Sequence, residues 1–464
     1  MIIASQTQSV MATPCCNWFG IYFASDCLNN LTAKPENFNI LPFDAIHPRP
    51  RPPMKIAVIG AGTLGVTTSL ELISHGHEVK VFEKNAGVAQ EASFATAGFI
   101  GPGLTHSWVG PGMVSHILKR YFSMQGGIKR HGVGIPAGWL LKWSKACASP
   151  HVEMKQAAMH RLAQYSQEVL KSITEQHGLN FEMSAGSLIL LRSESELATY
   201  QTHLKLLKQA DIPFKQLDSM ETLKVEPALS SSERLWGSLY FPNDAVANCR
   251  QFTLLAKQIA ESQGVEFLTG KEVLPLSANN PLMIQVNGMP DEKFDHVIVC
   301  SGIGTKHILK NQSIPLPLLA IHGYTVSAAV REPIDAPLSG VLDASSMVSV
   351  SRMGQRIRVS GMFEHGQNPK KPVDSVSLLY KVLNDWFPGA AKTTEIVQAW
   401  KGTRDVLADG LPLIGSSGIP GVWLNAGHGN HGWAFACGTA RLIADMISGR
   451  ECEIDLKGLG IERY

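Results

Sequence analysis

The chain has 464 residues, 44% of them hydrophobic and 17% charged, with a net charge of +2. That make-up describes a globular protein with a sizeable core, long enough for two domains or for one carrying a large insertion. The near-balanced charge makes no case for nucleic-acid binding, and no run reaches the roughly 18–20 uninterrupted apolar residues of a membrane-spanning helix.

Residues 1–53 differ in character from the rest. Leu41 to Pro53 is so rich in proline that regular structure is excluded, because proline fixes φ and removes a donor. Trp18 to Phe23 is apolar, but no Lys or Arg precedes it and no small-residue cleavage pattern follows, so it does not read as a secretory signal. The expectation is a disordered extension upstream of Met54.

Lys55 opens the most informative stretch. Ile56 to Ile59 are apolar without a break, as in a parallel strand covered on both faces. From Thr63 the period changes, and Val66, Leu70 and Ile73 share one side of a helix that Gly76 closes. Val79 to Phe82 then reads as a second buried strand ending on Glu83. Within the turn Ile59-Gly60-Ala61-Gly62-Thr63-Leu64-Gly65, Gly60 permits the tight bend. Gly62 lets backbone approach a pyrophosphate, and Gly65 lets helix and strand pack closely. The helix N-terminus offers its amide groups to phosphates. Glu83, 23 residues after Gly60, is placed to accept from a ribose diol. Lys84 beside it is read as solvated or phosphate-facing. This is a dinucleotide site.

Ala92 to Gly103, with Ser93, Ala97 and Gly98, is a run of small residues suited to backbone lying close to a flat ligand. From Ala92 to Val152 there is no acid, while Lys119, Arg120, Lys129, Arg130, Lys142 and Lys145 interleave with Tyr121, Phe122, Trp139 and Trp143. Such a stretch suits an anionic ligand or a membrane surface; the alternative is an exposed loop beside core helices. Periodicity predicts helices over 153–177 and 195–209, a strand from Phe181 to Leu191 and a short helix opened by Asp218. Gln251 to Gln263 is helical, a strand from Val265 runs on toward Val273, and His296 to Cys300 returns as a buried strand ending at Gly302. Residues 315–400 alternate at period two in places, as at Arg356 to Ser360, and predict an antiparallel sheet. The strand at Val422 enters a glycine turn, Gly427-His428-Gly429-Asn430-His431-Gly432, and then a helix from Ala434 to Ile447. A ligand carbonyl or developing anion is well placed at that helix start. Eight cysteines without a C-x-x-C or zinc spacing read as small hydrophobes in a reducing compartment, Cys437 among them.

These residues carry a resemblance. Gly60-x-Gly62-x-x-Gly65, Ser93-x-x-x-Ala97-Gly98, Val225-Glu-Pro-Ala-Leu229, Pro242-Asn-Asp244, His322-Gly-Tyr324, Asp409-Gly-x-Pro412 and Gly427-His-Gly429 together resemble the FAD-dependent D-amino acid dehydrogenases, small-subunit type. That family lies within the D-amino acid oxidase and glycine oxidase superfamily, and the likeness runs from Met54 to about Arg450. It implies an α/β fold: a Rossmann-like FAD-binding domain with an inserted α+β substrate-binding domain built on an antiparallel sheet. The expected division gives 54–120, 244–312 and 401–464 to the FAD-binding domain, and 121–243 and 313–400 to the substrate domain. The resemblance implies oxidative deamination of a D-amino acid, with Arg404 clamping the carboxylate and Tyr324 hydrogen-bonding the same group. It also implies that the His428 loop meets the flavin, with Val273 and Gly302 adding to the cofactor site. Electrons are expected to pass to a quinone or another respiratory acceptor, from a cytoplasmic protein peripheral to the inner face of the plasma membrane. Glycine, sarcosine or D-proline oxidation is the neighbouring alternative, and a non-catalytic flavoprotein assembly factor the more distant one. One departure stands out: the family's Gly-Leu-Arg-Pro reads Gly402-Thr403-Arg404-Asp405 here. An acid in that place is expected to draw Arg404 partly away and to alter substrate preference.

Overall fold

The computed structural model describes residues 52–110, 113–114, 128–131, 134–230, 234–366, 373–392 and 397–464, all within one compact unit. Residues 1–51 of the expected extension lie outside the described residues, as do Lys119, Arg120, Tyr121 and Phe122 of the basic aromatic stretch.

The apolar run at 56–59 becomes the central strand Lys55–Ile59. It lies parallel to Glu78–Glu83 on one side and to His296–Val299 on the other. Glu266–Thr269 extends the sheet beyond the first, and Val422–Ala426 and Leu413–Ser416 extend it beyond the second. Helices Thr63–Ser74, Cys249–Ser262, Gly432–Ser448 and Val152–His177 cover one face. Val66, Leu162, Val169, Phe252 and Ile443 close that core. Both faces are buried, which is why Ile56 to Ile59 has no polar alternation to show.

A second, larger sheet begins at Gln398–Leu407 and continues through Leu318–Ala329, Arg356–Gly366, Val348–Met353, Gly340–Asp343, Ser184–Leu191 and Gly237–Val246 to Phe99–Ile100. Period two holds here: Ile357 and Val359 point into a core shared with Leu379, Val382 and Trp386. Those three belong to the helix Val373–Trp386, whose spacing was present in the sequence but was absorbed into the expected sheet. The sheet is mixed and not purely antiparallel, since Gly340–Asp343 runs parallel to Ser184–Leu191. The helix expected over 195–209 is two, Glu194–Thr199 and Gln201–Gln209, broken at Tyr200.

The two sheets interleave along the chain more finely than the expected division. Gln398–Leu407 stays whole in the large sheet across the 400/401 boundary. Phe99–Ile100 already pairs with Gly237–Val246 inside the first segment. Among the described residues no helix is long and apolar enough to cross a membrane.

Candidate active site

The three glycines of the first turn are needed for different reasons. A Cβ on Gly60, at φ +102°, would meet the Cys300 carbonyl oxygen at 2.8 Å. One on Gly65 would meet the Gly60 carbonyl oxygen at 1.8 Å. A Cβ on Gly62 would find only the Ser93 Oγ, at 3.3 Å. Protein packing therefore fixes Gly60 and Gly65, while Gly62 borders open space. Gly62 is also the N-cap of Thr63–Ser74 and gives the helix no side-chain cap, so its positive end is left toward that space. Thr63 N–H donates to the Ser93 Oγ at 3.0 Å.

Glu83 holds the same turn. Its Oε2 accepts from Ala61 N–H, and its Oε1 from Asn85 N–H and Nδ2, each at 2.8 Å. A carboxylate oxygen has two acceptor positions, so one, on Oε2, is left for a ribose hydroxyl. Lys84 pairs with Glu91 at 3.2 Å on the surface.

The small-residue loop is fastened to the large sheet through its carbonyls. Ala95, Thr96 and Ala97 accept from Thr325 Oγ1 (2.8 Å), Arg358 Nη1 (3.1 Å) and Ser351 Oγ (2.9 Å). Gly98, at φ +90°, has the Met353 side chain 2.2 Å from where a Cβ would sit. The run of small residues was legible in the sequence; these three partners, on strands 230 residues and more away, were not.

Arg404 stands opposite Ile321 in the pair Gln398–Leu407 and Leu318–Ala329. Its guanidinium lies over Gly323, whose absent Cβ would be 1.7 Å from Nη2, and over the Phe363 ring at 5.1 Å. Nη1 donates to Asn430 Oδ1, and Nη2 to the Met362 carbonyl at 3.2 Å. Met362 is buried with φ +74°, a left-handed conformation costly for a side chain this size. Among the described residues no carboxylate pairs with Arg404, and burial lowers its pKa to about 10, which leaves it charged at neutral pH. Two of its five N–H groups are used in these bonds.

Two neighbours of Arg404 carry bonds of their own. Tyr324 pairs with Lys401, three residues from Arg404, and side chains three apart on a strand face opposite ways. The Tyr324 ring accordingly packs in the core with Val348, Val350 and Leu379, and its hydroxyl donates to Glu364 Oε2 at 2.9 Å. Tyr324 borders the cavity, with its one proton given to Glu364. Asp405, next to Arg404, likewise faces away: its Oδ2 accepts from Gly427 N–H at 2.6 Å. It does not compete for the guanidinium. Burial pushes the Asp405 pKa up to about 6.

That bond anchors the second glycine turn. Gly427 has φ +74°, and a Cβ there would lie 2.3 Å from Leu407. His428 is buried, and neither ring nitrogen has a partner among the described residues. Burial lowers its pKa to about 3, so it is neutral. Gly429 and Asn430 follow, then His431, whose Nε2 lies 3.2 Å from the His106 carbonyl oxygen, and Gly432 opens the last helix. Cys437 is buried in that helix.

Both ends open into one cavity of about 1280 Å³. It is bordered by the expected cofactor residues Ile59, Gly60, Gly62, Thr63, Leu64, Glu83, Lys84, Ser93, Ala97, Gly98, Val273, Gly302, Gly427, His428, Gly429, Asn430 and Gly432, and by Arg404. Ala61 and Gly65 pack behind the turn instead. A volume above the roughly 300–1,000 Å³ of a drug-sized pocket suits a dinucleotide with a small substrate beside it. The open side of Gly62, the uncapped helix and the unpartnered His428 fit the same group.

The two-sheet molecule has a dinucleotide turn at one end of its cavity and the Arg404 guanidinium at the other, with room for a dinucleotide beside a small anion. The family model described as FAD dependent oxidoreductase matches residues 55–446, and the chain belongs to that family. It is an FAD-dependent enzyme. It is 34% identical over 418 residues to a D-amino acid dehydrogenase of Rhizorhabdus wittichii, covering 89% of this chain and 100% of that protein. A D-amino acid dehydrogenase of Rhizobium rhizogenes matches at 34% over 420 residues, with the same coverage. Among solved structures, glycine oxidase from Geobacillus kaustophilus superposes with a TM-score of 0.68 at 20% identity, over 89% of this chain and 99% of that one. That likeness bears on the fold.

Proposed function

We propose that the protein oxidises the α-carbon of D-amino acids, giving an imino acid that water hydrolyses to a 2-oxo acid and ammonia. The carrying observation is Arg404, a charged guanidinium bordering the cavity with no carboxylate partner among the described residues. The names of the two bacterial relatives supply the substrate class. FAD, when bound, supplies the acceptor for the hydride that leaves the α-carbon. The Gly60–Gly65 turn would hold its pyrophosphate, Glu83 its ribose, and the Ser93–Gly98 loop and His428 turn its ring system, with Val273 and Gly302 completing the wall. In this reading the parallel sheet is the cofactor half and the large sheet the substrate half. Arg404 binds and orients the substrate carboxylate through parallel N–H donors.

Electrons leave to a quinone or another respiratory acceptor, at a peripheral contact with the inner face of the plasma membrane. What favours this is the helix Ala137–Cys147. Trp139, Leu140 and Trp143 border the cavity, while Leu141 (57% exposed), Lys142 and Lys145 face outward. Apolar and basic side chains together suit an anionic lipid surface.

The test is to add D-alanine, glycine, sarcosine or D-proline to the purified holoenzyme without oxygen. D-alanine should bleach the flavin fastest; bleaching by glycine or sarcosine alone would move the protein to the secondary-amine and glycine group. Reduction of a short-chain ubiquinone, with little peroxide formed in air, is expected of the acceptor, and the reverse would exclude a quinone.

A further inference from the structure

Arg404 provides for a carboxylate, but an α-amino acid carries an amino group one carbon away, and no residue described so far receives it. Of the acids bordering the cavity, Glu83 is committed to the first turn, Glu91 to Lys84, Glu196 to the Arg192 N–H and Asp405 to Gly427, while Glu272 follows Lys271, whose N–H donates to the Glu83 carbonyl at the cofactor end. The turn beside Arg404 offers a different acceptor. Asn430 takes the Arg404 Nη1 hydrogen bond, and the next residue is His431.

We propose that His431 Nδ1 accepts a hydrogen bond from the substrate amino group, so that Arg404 and His431 together recognise the amino-carboxylate pair. This rests on the amino-acid reading of the site given above. A carbonyl oxygen can only accept, so the contact of His431 Nε2 with the His106 carbonyl puts the ring proton on Nε2. Nδ1 is then left with its lone pair. It has no partner among the described residues, and the ring borders the cavity. Burial, with His106 and Arg404 nearby, lowers the His431 pKa to about 4, so the acceptor persists at neutral pH.

The carbonyl that sets this tautomer is itself held from both sides. Before it, His203 Nε2 lies 2.7 Å from the Gly103 carbonyl oxygen, and Asp244 accepts from Gly103 N–H (3.1 Å) and Leu104 N–H (3.2 Å). Across it, Gln156 donates to the Thr105 carbonyl (2.7 Å) and accepts from Ser107 N–H (2.8 Å). A glutamine, two helices and a buried strand residue thus fix the direction in which His431 presents Nδ1.

The experiment separates the two ring nitrogens. His431→Gln places an amide nitrogen where Nε2 was and keeps the His106 bond, but has no acceptor at the Nδ1 position. His431→Asn places an amide oxygen near Nδ1 and gives up the His106 bond. In the holoenzyme, His431→Gln should lower kcat/KM for D-alanine about tenfold or more, the loss of one hydrogen bond to a charged or polar group. Propanoate, which has the carboxylate but no amino group, should bind by calorimetry within about twofold of wild type, and the flavin spectrum should be unchanged. His431→Asn should recover most of the loss. Equal losses for D-alanine and propanoate, or no loss for either, would overturn the proposal. Wild-type holoenzyme that binds propanoate yet turns over no amino acid would sink the functional reading itself, and that is seen before any variant is made.

Discussion

The two ends of the cavity are built by different means. At the Gly60–Gly65 end, backbone meets backbone: absent side chains let Cys300, Gly60 and Ser93 approach, and the space that remains has the shape of the ligand. At the Arg404 end, side chains are placed by strand register, and polar groups are left over: a guanidinium with no carboxylate and an imidazole, that of His428, with no hydrogen-bond partner among the described residues. The first end is specified by what the residues lack and the second by which way they face. Damage to the first should therefore cost folding or cofactor, and damage to the second should cost turnover while the yellow protein survives.

Gly65→Ala tests the first half of that contrast most severely. Its Cβ would sit 1.8 Å from the Gly60 carbonyl oxygen, and overpacking of this degree costs about 3 kcal/mol or more. Little folded protein should be recovered, by circular dichroism and gel filtration. Gly62→Ala should fold, because only a hydroxyl lies nearby, yet elute with much less flavin. Equal recovery of both as holoprotein would erase the distinction.

Arg404→Ala tests the other half. Leaving a buried carboxylate unpaired costs about 3–5 kcal/mol, and each ~1.4 kcal/mol is tenfold in rate. kcat/KM for D-alanine should fall by roughly two to four powers of ten with the flavin spectrum intact, and Arg404→Lys should regain only part of it. Wild-type kinetics in Arg404→Ala would remove this residue from the site.

Asp405 joins the two means, since a side chain there holds a glycine turn. Burial raises its pKa from 3.8 to about 6. The unfolded chain releases this proton near 3.8 and the folded chain only near 6, so the folded state binds more protons between those values. Stability therefore falls as pH rises through that window and stays lower above it, by on the order of 3 kcal/mol. Asp405→Asn keeps an acceptor for Gly427 N–H and loses the titration. Its melting temperature should match wild type near pH 4 and exceed it increasingly up to pH 6. A constant difference across that range would show that the carboxylate does not titrate there.

Tyr324→Phe is the smallest and sharpens the register argument. The hydroxyl serves Glu364 on the far face, so kcat/KM should stay within about twofold, while stability drops by about 1–3 kcal/mol. A large rise in KM would return Tyr324 to the substrate.

The same contrast explains what could be read from the chain. Gly60, Gly62, Gly65, Glu83 and the Ser93–Gly98 run were legible because a strand, a turn and a helix adjacent in sequence make that end. The Tyr324 bond to Glu364 was not legible because its direction depends on pairing with Lys401, and nothing local fixes which residue stands opposite which. Asp405 was misread because adjacent residues on a strand face opposite ways, and its carboxylate holds Gly427 and not Arg404. His431 lay inside a quoted stretch, but its meaning comes from His106, held by Gln156 and His203 on helices far along the chain. The helix Val373–Trp386 had its spacing in plain view, and was lost inside a segment read as strand throughout.

The central strand has a consequence for how the molecule is made. Lys55–Ile59 is synthesised early, yet one of its two neighbours is His296–Val299, and that strand in turn waits for Val422–Ala426. On the ribosome, then, an apolar strand with one unpaired edge must be carried through some two hundred further residues before its partner exists. Pairings so distant in sequence form slowly, and an open apolar edge is an invitation to association between nascent chains. Chaperone demand and inclusion-body formation on fast expression follow from that one neighbour relation, and slower synthesis should relieve them.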